Sequence, residues 1–243
     1  MLLFLFLATL ILADSLSVPS LNNNNCRIKV CHNKDCVKKG GGERLVDIFH
    51  DLIPNEASGV TIESSGCLSQ CGNGPNVLVE ANGEKEKIYF DVNDPTSASA
   101  VLEVATGEDY PINLLVAADY IFQSESAGTS PSKRESLLSS AIEEVTKDQD
   151  TAQHFAWSHA LYLRADARLD LSPQDVEGAI ADALLASQLS PTDFRVWRVL
   201  ANAQEAGGEV EKAINALREG ARVDPSFATK AKNEIRRLSS LRD

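Results

Sequence analysis

The sequence predicts an α/β unit over residues 26–107 and an all-α unit over residues 108–243, with residues 1–25 set apart as a targeting segment. Three observations lead there. Between Cys26 and Gly107, runs that alternate polar and apolar side chains are interleaved with runs whose apolar residues recur every three or four positions, the periods of strand and helix. After Gly107 only the helical period recurs. Towards the C-terminus the chain repeats its own order of large and small residues at an interval of 34, as stacked helical repeats do.

In composition the chain is an ordinary globular one: 243 residues, 43% hydrophobic and 24% charged, enough for one large or two small domains. Its formal net charge of -12 sets it apart from general nucleic-acid binders, which carry a basic stripe. Residues 2–12 read Leu-Leu-Phe-Leu-Phe-Leu-Ala-Thr-Leu-Ile-Leu, shorter than the roughly 20 apolar residues of a membrane span. They have the character of a signal-peptide core followed by the small-residue site Ala13-Asp14-Ser15, though without a preceding positive charge. No stable span is expected in the mature chain.

The α/β unit opens with Arg27 to Val30, a half-buried strand by its alternation, ended by Cys31. His32 to Asp35 reads as a loop leading to Cys36, followed by Lys38, Lys39 and the glycines Gly40 to Gly42. Glu43 to Leu52 places Leu45, Val46, Ile48, Phe49 and Leu52 at helical spacing, and Pro54 stops it. Gly59 to Ile62 is the next strand. Asn76 to Val79 and Lys87 to Phe90 flank Asn82-Gly83, a hairpin signal. Asp94-Pro95 then starts a helix through about Val104 in a cap-then-Pro arrangement. Strand, helix, strand, hairpin strands and helix, in that order, make a thioredoxin-like arrangement.

The cysteines fall at or beyond the strand ends in two close pairs, Cys31/Cys36 and Cys67/Cys71. Four thiolates in two pairs are the ligand set of a [2Fe–2S] cluster or of structural zinc. Disulfides, free thiols or plain apolar packing are the alternatives. Gly72 and Gly74, immediately after Cys71, fit the cluster reading: glycine lets the backbone take positive φ angles and pass close to a cluster, whose potential amide N–H groups then tune. Cys26 is the odd fifth cysteine, so a complete set of disulfides within one chain is excluded. It stands at the far end of the strand that Cys31 ends. Five residues of strand advance roughly 17 Å, too far for both to reach one cluster. The redox motif Cys-x-x-Cys is absent.

Cys31, Cys36, Cys67 and Cys71, with the run Cys71-Gly72-Asn73-Gly74-Pro75-Asn76-Val77-Leu78-Val79, carry a resemblance to thioredoxin-like [2Fe–2S] ferredoxins over residues 26–107. The four-residue gap between the first two cysteines is similar to that of the related subunit of respiratory complex I. The resemblance implies that all four cysteines ligate one cluster, two per iron, and that the unit transfers electrons. His32 is not needed as a ligand once four Cys complete the set. Lys34, Lys38 and Lys39 are by default a solvated loop. They can also offset cluster charge or dock an acidic redox partner.

A secretory leader conflicts with reduced thiols, because secreted cysteines oxidise in pairs. The leader, with Leu16 after the cleavage point and the Ser- and Asn-rich Ser17 to Asn25 behind it, resembles presequences that route proteins through the secretory system into complex plastids. That resemblance implies a plastid location; without it an endomembrane or secreted one follows.

In the all-α unit, Pro111 opens a helix with Ile112, Leu115, Val116, Ala118 and Tyr120 to Phe122. Ser124 to Ser132 reads as a loop, and a helix over about Lys133 to Lys147 follows, with Leu137, Leu138, Ala141, Ile142 and Val145 apolar. Trp197, Leu200, Ala201, Ala213, Leu217, Gly220, Ala221 and Pro225 form one repeat, and Leu163, Ala167, Ala179, Ala183, Ala186 and Pro191 a second, 34 residues upstream. Asp166 and Gln204 interrupt the pattern where a Leu and an aromatic are expected. A last helix from Ser226, with Phe227, Ala231, Ile235 and Leu238 inward and Arg236, Arg237 and Arg242 on its polar face, closes the array. Small residues permit close helix crossings that large ones fill.

This unit resembles a tetratricopeptide repeat domain, which implies protein docking on a concave face. The plainer reading is a structural dock for the α/β unit. The two units are expected to have separate cores. His50, His154 and His159 read as ordinary helix residues, and no nucleophile triad, phosphate loop or carboxylate pair stands out. The chain reads as an electron carrier or binding protein rather than an enzyme. The alternatives are an assembly or scaffold factor with a structural or sensing cluster, and a zinc-bound adaptor.

Overall fold

A computed structural model describes residues 26–53, 59–81, 85–147 and 155–240. The leader, Pro54, the Asn82-Gly83 turn, His154 and Arg242 lie outside the described residues. The α/β unit contains β1 (Cys26–Cys31), α1 (Lys34–Lys38), α2 (Glu43–Leu52), β2 (Val60–Ser65), β3 (Val77–Glu80), β4 (Lys87–Tyr89) and α3 (Pro95–Thr106). Its sheet has the order β2-β1-β3-β4, with β1 parallel to β2, antiparallel to β3, and β3 antiparallel to β4. The parallel pair is joined through α2, as parallel strands require a crossover. Along β1 the side chains alternate: Cys26, Ile28 and Val30 are buried on one face while Arg27 is exposed on the other.

One correction concerns Cys36. Its surroundings form not a loop but the short helix α1, capped by Asn33, whose side chain accepts from the Asp35 N–H at 3.2 Å. A further one concerns Ser130, which caps the helix Pro131–Thr146, so that this helix starts inside the stretch read as a loop. The last helix is likewise preceded by a 3-10 turn over Pro225–Phe227.

The helical unit stacks three pairs: α4 (Ile112–Glu125) with α5 (Pro131–Thr146), α6 (Phe155–Leu169) with α7 (Val176–Leu189), and α8 (Phe194–Ala206) with α9 (Val210–Val223). The second helix of each pair packs on the first helix of the next, and α10 (Ala228–Ser239) closes against α9. Ala167, Ala183, Ala186, Ala201, Ala213 and Gly220 are all buried. At Gly220 a Cβ would lie 3.1 Å from the Phe227 ring and 3.2 Å from Trp197 Cβ, so the missing side chain is what lets these two approach. No helix among the described residues is long and apolar enough to cross a membrane.

The expectation of separate cores is not met. Leu45, Ile48, Phe49 and Leu52 of α2 belong to the same continuous buried cluster as Leu114, Leu115, Ala118 and Ile121 of α4 and Ala160 and Leu161 of α6. In the helical unit α2 packs chiefly on α4 and α6, the first helices of their pairs. An amphipathic helix shows in its sequence that one face is apolar, but not which neighbour will cover it. Two polar contacts fix this docking: Arg44 Nε donates to Asp119 Oδ1 at 2.8 Å, and His159 Nδ1 lies 2.7 Å from Asp51 Oδ1 with both side chains buried.

Candidate metal centre

The period of β1 decides which cysteines meet. Cys26 faces the core side of the sheet with Ile28 and Val30, and Cys31, five residues on, faces the opposite side. Cys36 is carried by α1, and Cys67 and Cys71 by the loop that follows β2. Backbone bonds draw these segments together. The Cys31 N–H donates to Asn76 O at 3.0 Å, and the His32 N–H to Ser65 O at 2.8 Å. Lys39 Nζ donates to Gly72 O at 2.8 Å, tying the first cysteine loop to the second.

The two glycines after Cys71 serve different ends. Gly72 has φ +103°, a region open to glycine alone at little cost. Gly74 is a close approach: a Cβ there would stand 2.5 Å from Cys36 Sγ. Between the two cysteines, Ser69 holds φ +61°, which costs a non-glycine residue about 1–2 kcal/mol. The loop is held in place by Asn76 Nδ2, which donates to Gln70 O at 2.9 Å.

The four thiols influence one another in the succession Cys36, Cys31, Cys67, Cys71. The Cys36 and Cys67 side chains both act on the Cys31 thiol, and Cys67 Sγ is 3.4 Å from Cys71 Sγ. Cys31 and Cys36 are 1% and 2% exposed, whereas Cys67 and Cys71 are open to solvent. Burial pushes the Cys31 thiol up, but the Asn33 and Leu68 amides and the two neighbouring thiols outweigh it and hold the group below its ordinary value. Burial and then the Cys31 side chain push Cys36 up, although the Asn76 amide donates to it. Cys71 is raised by its contact with Cys67. Among the described residues no three Cys, His, Asp or Glu side chains stand preformed around one metal position.

Cys26 is buried, and desolvation raises its thiol. His32 is exposed, with Nδ1 lying 3.2 Å from where a Gly42 Cβ would be. Lys34, Lys38 and Lys39 are exposed around α1. Sequence reasoning missed Asp51 and His159. His159 is not an ordinary helix residue: it is buried, pairs with Asp51 and stacks on Tyr162 at 5.1 Å between ring centroids. With the partners 108 positions apart in sequence, neither local sequence signals the pair. The interruptions of the repeat are explained in part. Asp166 accepts from Arg134 at 3.4 Å, while Gln204 is buried with Oε1 lacking a partner. No protein-family model and no curated protein matches this chain.

Proposed function

We propose that the chain is a [2Fe–2S] protein of ferredoxin-like electron transfer, its α/β unit thioredoxin-like and its helical unit a tetratricopeptide-type array that docks protein. The observation that carries this is the convergence of four thiols on three segments, with backbone N–H groups aimed at the two buried ones. The donor set suits iron: four thiols, none hydrogen-bonded to a carboxylate among the described residues, and a backbone at Gly74 that no side chain could share with Cys36. Beside it Asn76 Oδ1 is buried without a partner. Cys31, Cys36, Cys67 and Cys71 would hold the cluster, which when bound supplies a one-electron couple. The Asn33, Leu68 and Asn76 amides stabilise charge on the sulfurs they face. Burial of Cys31 and Cys36 keeps water from one side, and exposure of Cys67 and Cys71 leaves the other side reachable.

The sheet order β2-β1-β3-β4 with α2 in the crossover supports the thioredoxin-like reading. Three stacked helix pairs with a 34-residue period support the repeat reading. The compartment proposed is the plastid, where thiolates stay reduced; a reporter fused to residues 1–40 tests the route. One observation favours a second reading. Because α2 lies on α4 and α6, the array can serve as the brace of a cluster-bearing scaffold factor.

The deciding experiment is anaerobic purification or reconstitution with visible absorption, paramagnetic resonance and metal analysis. Two irons per chain with a reversible one-electron signal are expected. Stoichiometric zinc would replace the reading with a metal-bound adaptor, and a chain that never holds metal would remove both.

A further inference from the structure

The loop over residues 67–75 carries two of the four thiols and lies against the other two. The Leu68 amide faces the Cys31 thiol. At Gly74 the backbone passes so close that a Cβ would stand 2.5 Å from Cys36 Sγ, and a Cβ on Gly41 would meet Pro75 Cβ at 2.9 Å. Two exposed residues hold the loop from outside: Lys39 Nζ donates to Gly72 O at 2.8 Å, and the Asp91 N–H to Asn73 O at 2.9 Å.

From inside, Asn76 holds it. This residue is 1% exposed. Its carbonyl accepts from the Cys31 N–H at 3.0 Å, and its own N–H faces the Cys36 thiol. Its side-chain Nδ2 donates to Gln70 O at 2.9 Å, between Cys67 and Cys71. One buried residue therefore reaches all three segments that carry the thiols. Gln70 O has a weaker second donor, the Asn73 N–H at 3.4 Å.

Asparagine is a costly choice here. Its Oδ1 is buried without a partner, a penalty that an apolar side chain of the same shape avoids. Gln70 presents a carbonyl oxygen, so the carboxamide can turn only its N–H towards it. That N–H is what the position gains over leucine. It acts on a loop under strain, for Ser69, next to Gln70, holds φ +61°, a conformation uncommon outside glycine.

We infer that Asn76 is the positioning residue of the thiol site: its side-chain N–H latches the exposed Cys67–Cys71 loop over the buried Cys31 and Cys36. The latch is a property of the chain itself. It rests on the iron–sulfur reading only for the identity of what the four thiols bind.

Iodoacetamide, which alkylates a thiolate with loss of iodide, tests the latch in the metal-free full-length chain. Mass spectrometry of each site should find Cys67 and Cys71 labelled quickly and Cys26, Cys31 and Cys36 protected. In Asn76→Leu, which fills the space without an N–H, Cys31 and Cys36 should label about tenfold faster, the factor one hydrogen bond supplies. Asn76→Ala should match it. In both variants Cys26, on the other face of β1, should stay protected and the urea midpoint should not move. Lys39→Ala, which removes an exposed support, should change the rates less than about twofold. After reconstitution, Asn76→Leu should lose its visible absorption to a chelator about tenfold faster than the parent.

If Asn76→Leu leaves Cys31 and Cys36 as protected as in the parent, the N–H does not hold the loop and the proposal is overturned. It is overturned equally if Cys26 becomes reactive along with them, since Asn76 then only supports the fold. A chain that shows the expected labelling but never holds iron removes the iron–sulfur reading and leaves the latch standing.

Discussion

The helical array and the α/β unit complete their polar interiors in different ways. In the array, charge is met by charge. Arg164 grips both oxygens of the buried Asp182 at 2.7 and 2.8 Å, Arg168 adds a third bond at 3.0 Å, and Arg134 reaches Asp166 and Asp170. Trp157 Nε1, Gln204 Oε1 and Arg168 Nε lack hydrogen-bond partners among the described residues, but the first two are neutral and the third lies 3.3 Å from Asp175 Oδ2 as an ion pair. In the α/β unit the thiols of Cys31 and Cys36 are buried with only amides and other thiols for company. Paired charges make a closed structure, since breaking such a pair strands a buried charge. Converging thiols with amide donors make a different kind of interior, the one on which the proposed cluster reading rests. The array's side chains hold it together, and the proposed chemistry belongs to the thiols of the α/β unit.

The largest expected effect attacks the thiols. Replacing any one of Cys31, Cys36, Cys67 or Cys71 with Ala should abolish or sharply weaken the [2Fe–2S] absorption of the reconstituted chain, since an iron then lacks a thiolate. Cys26→Ala, which empties a position on the other face of β1, should leave it intact. Gly74→Val sharpens the point, because it removes no ligand yet drives a side chain into Cys36 Sγ; it too should lose the signal. Retention of full absorption in Gly74→Val would mean that Cys36 is not where the cluster binds.

The seam between the regions comes next. Asp51→Ala leaves His159 Nδ1 buried without its acceptor, at a cost of about 2–3 kcal/mol. Because α2 lies in the one buried cluster that the two units share, unfolding in urea followed by far-ultraviolet circular dichroism and by cluster absorption should give coincident transitions, and the substitution should move both down together. Loss of helix signal well before the cluster signal would restore two independent cores and dissolve this part of the comparison.

What was legible in the sequence follows the same division. Elements set by local periodicity or caps could be read: Glu43–Leu52 lies as expected, and the small residues of the 34-residue repeat are buried where its helices cross. The nearness of Cys67 to Cys71 could be read from spacing, and the separation of Cys26 from Cys31 from the strand between them. The helix around Cys36 was invisible, because five polar-rich residues with one cap show no period. So was the docking of α2 on α4 and α6. Arg44 with Asp119 and Asp51 with His159 are long-range contacts between residues ordinary in their own segments.

Within the array, Trp197→Ala tests how much of the repeat pattern is energy. The ring is only partly buried, and its Nε1 donates to Pro191 O at 2.9 Å. The loss should therefore fall below the roughly 3–5 kcal/mol of a fully buried aromatic, at about 2 kcal/mol, read as a shift of the urea midpoint. A change under about 0.5 kcal/mol, the range of an unremarkable surface substitution, would show that α9 and the 3-10 turn close on each other without the indole.

The smallest effect belongs to a cap in the α/β unit, where a single charge is met by backbone rather than by an opposite charge. Asp94 accepts from the Thr96 and Ser97 N–H groups at 2.9 and 3.1 Å, and its own N–H reaches Ser97 Oγ at 3.4 Å, closing a capping box at the start of α3. The Ser97 amide holds its carboxyl below the ordinary value. A depressed carboxyl contributes stability above its unfolded value of about 3.9, and that stability is lost as pH falls through the lower folded value. Asp94→Ala should accordingly cost about 1 kcal/mol at pH 7, discounted towards the low end because the group is exposed. Wild type and variant should converge as the carboxyl is protonated. Urea midpoints measured at neutral pH and in acid read this directly. An equal gap at both pH values would show that the hydrogen bonds of the box, rather than the charge they hold, stabilise the first turn of α3.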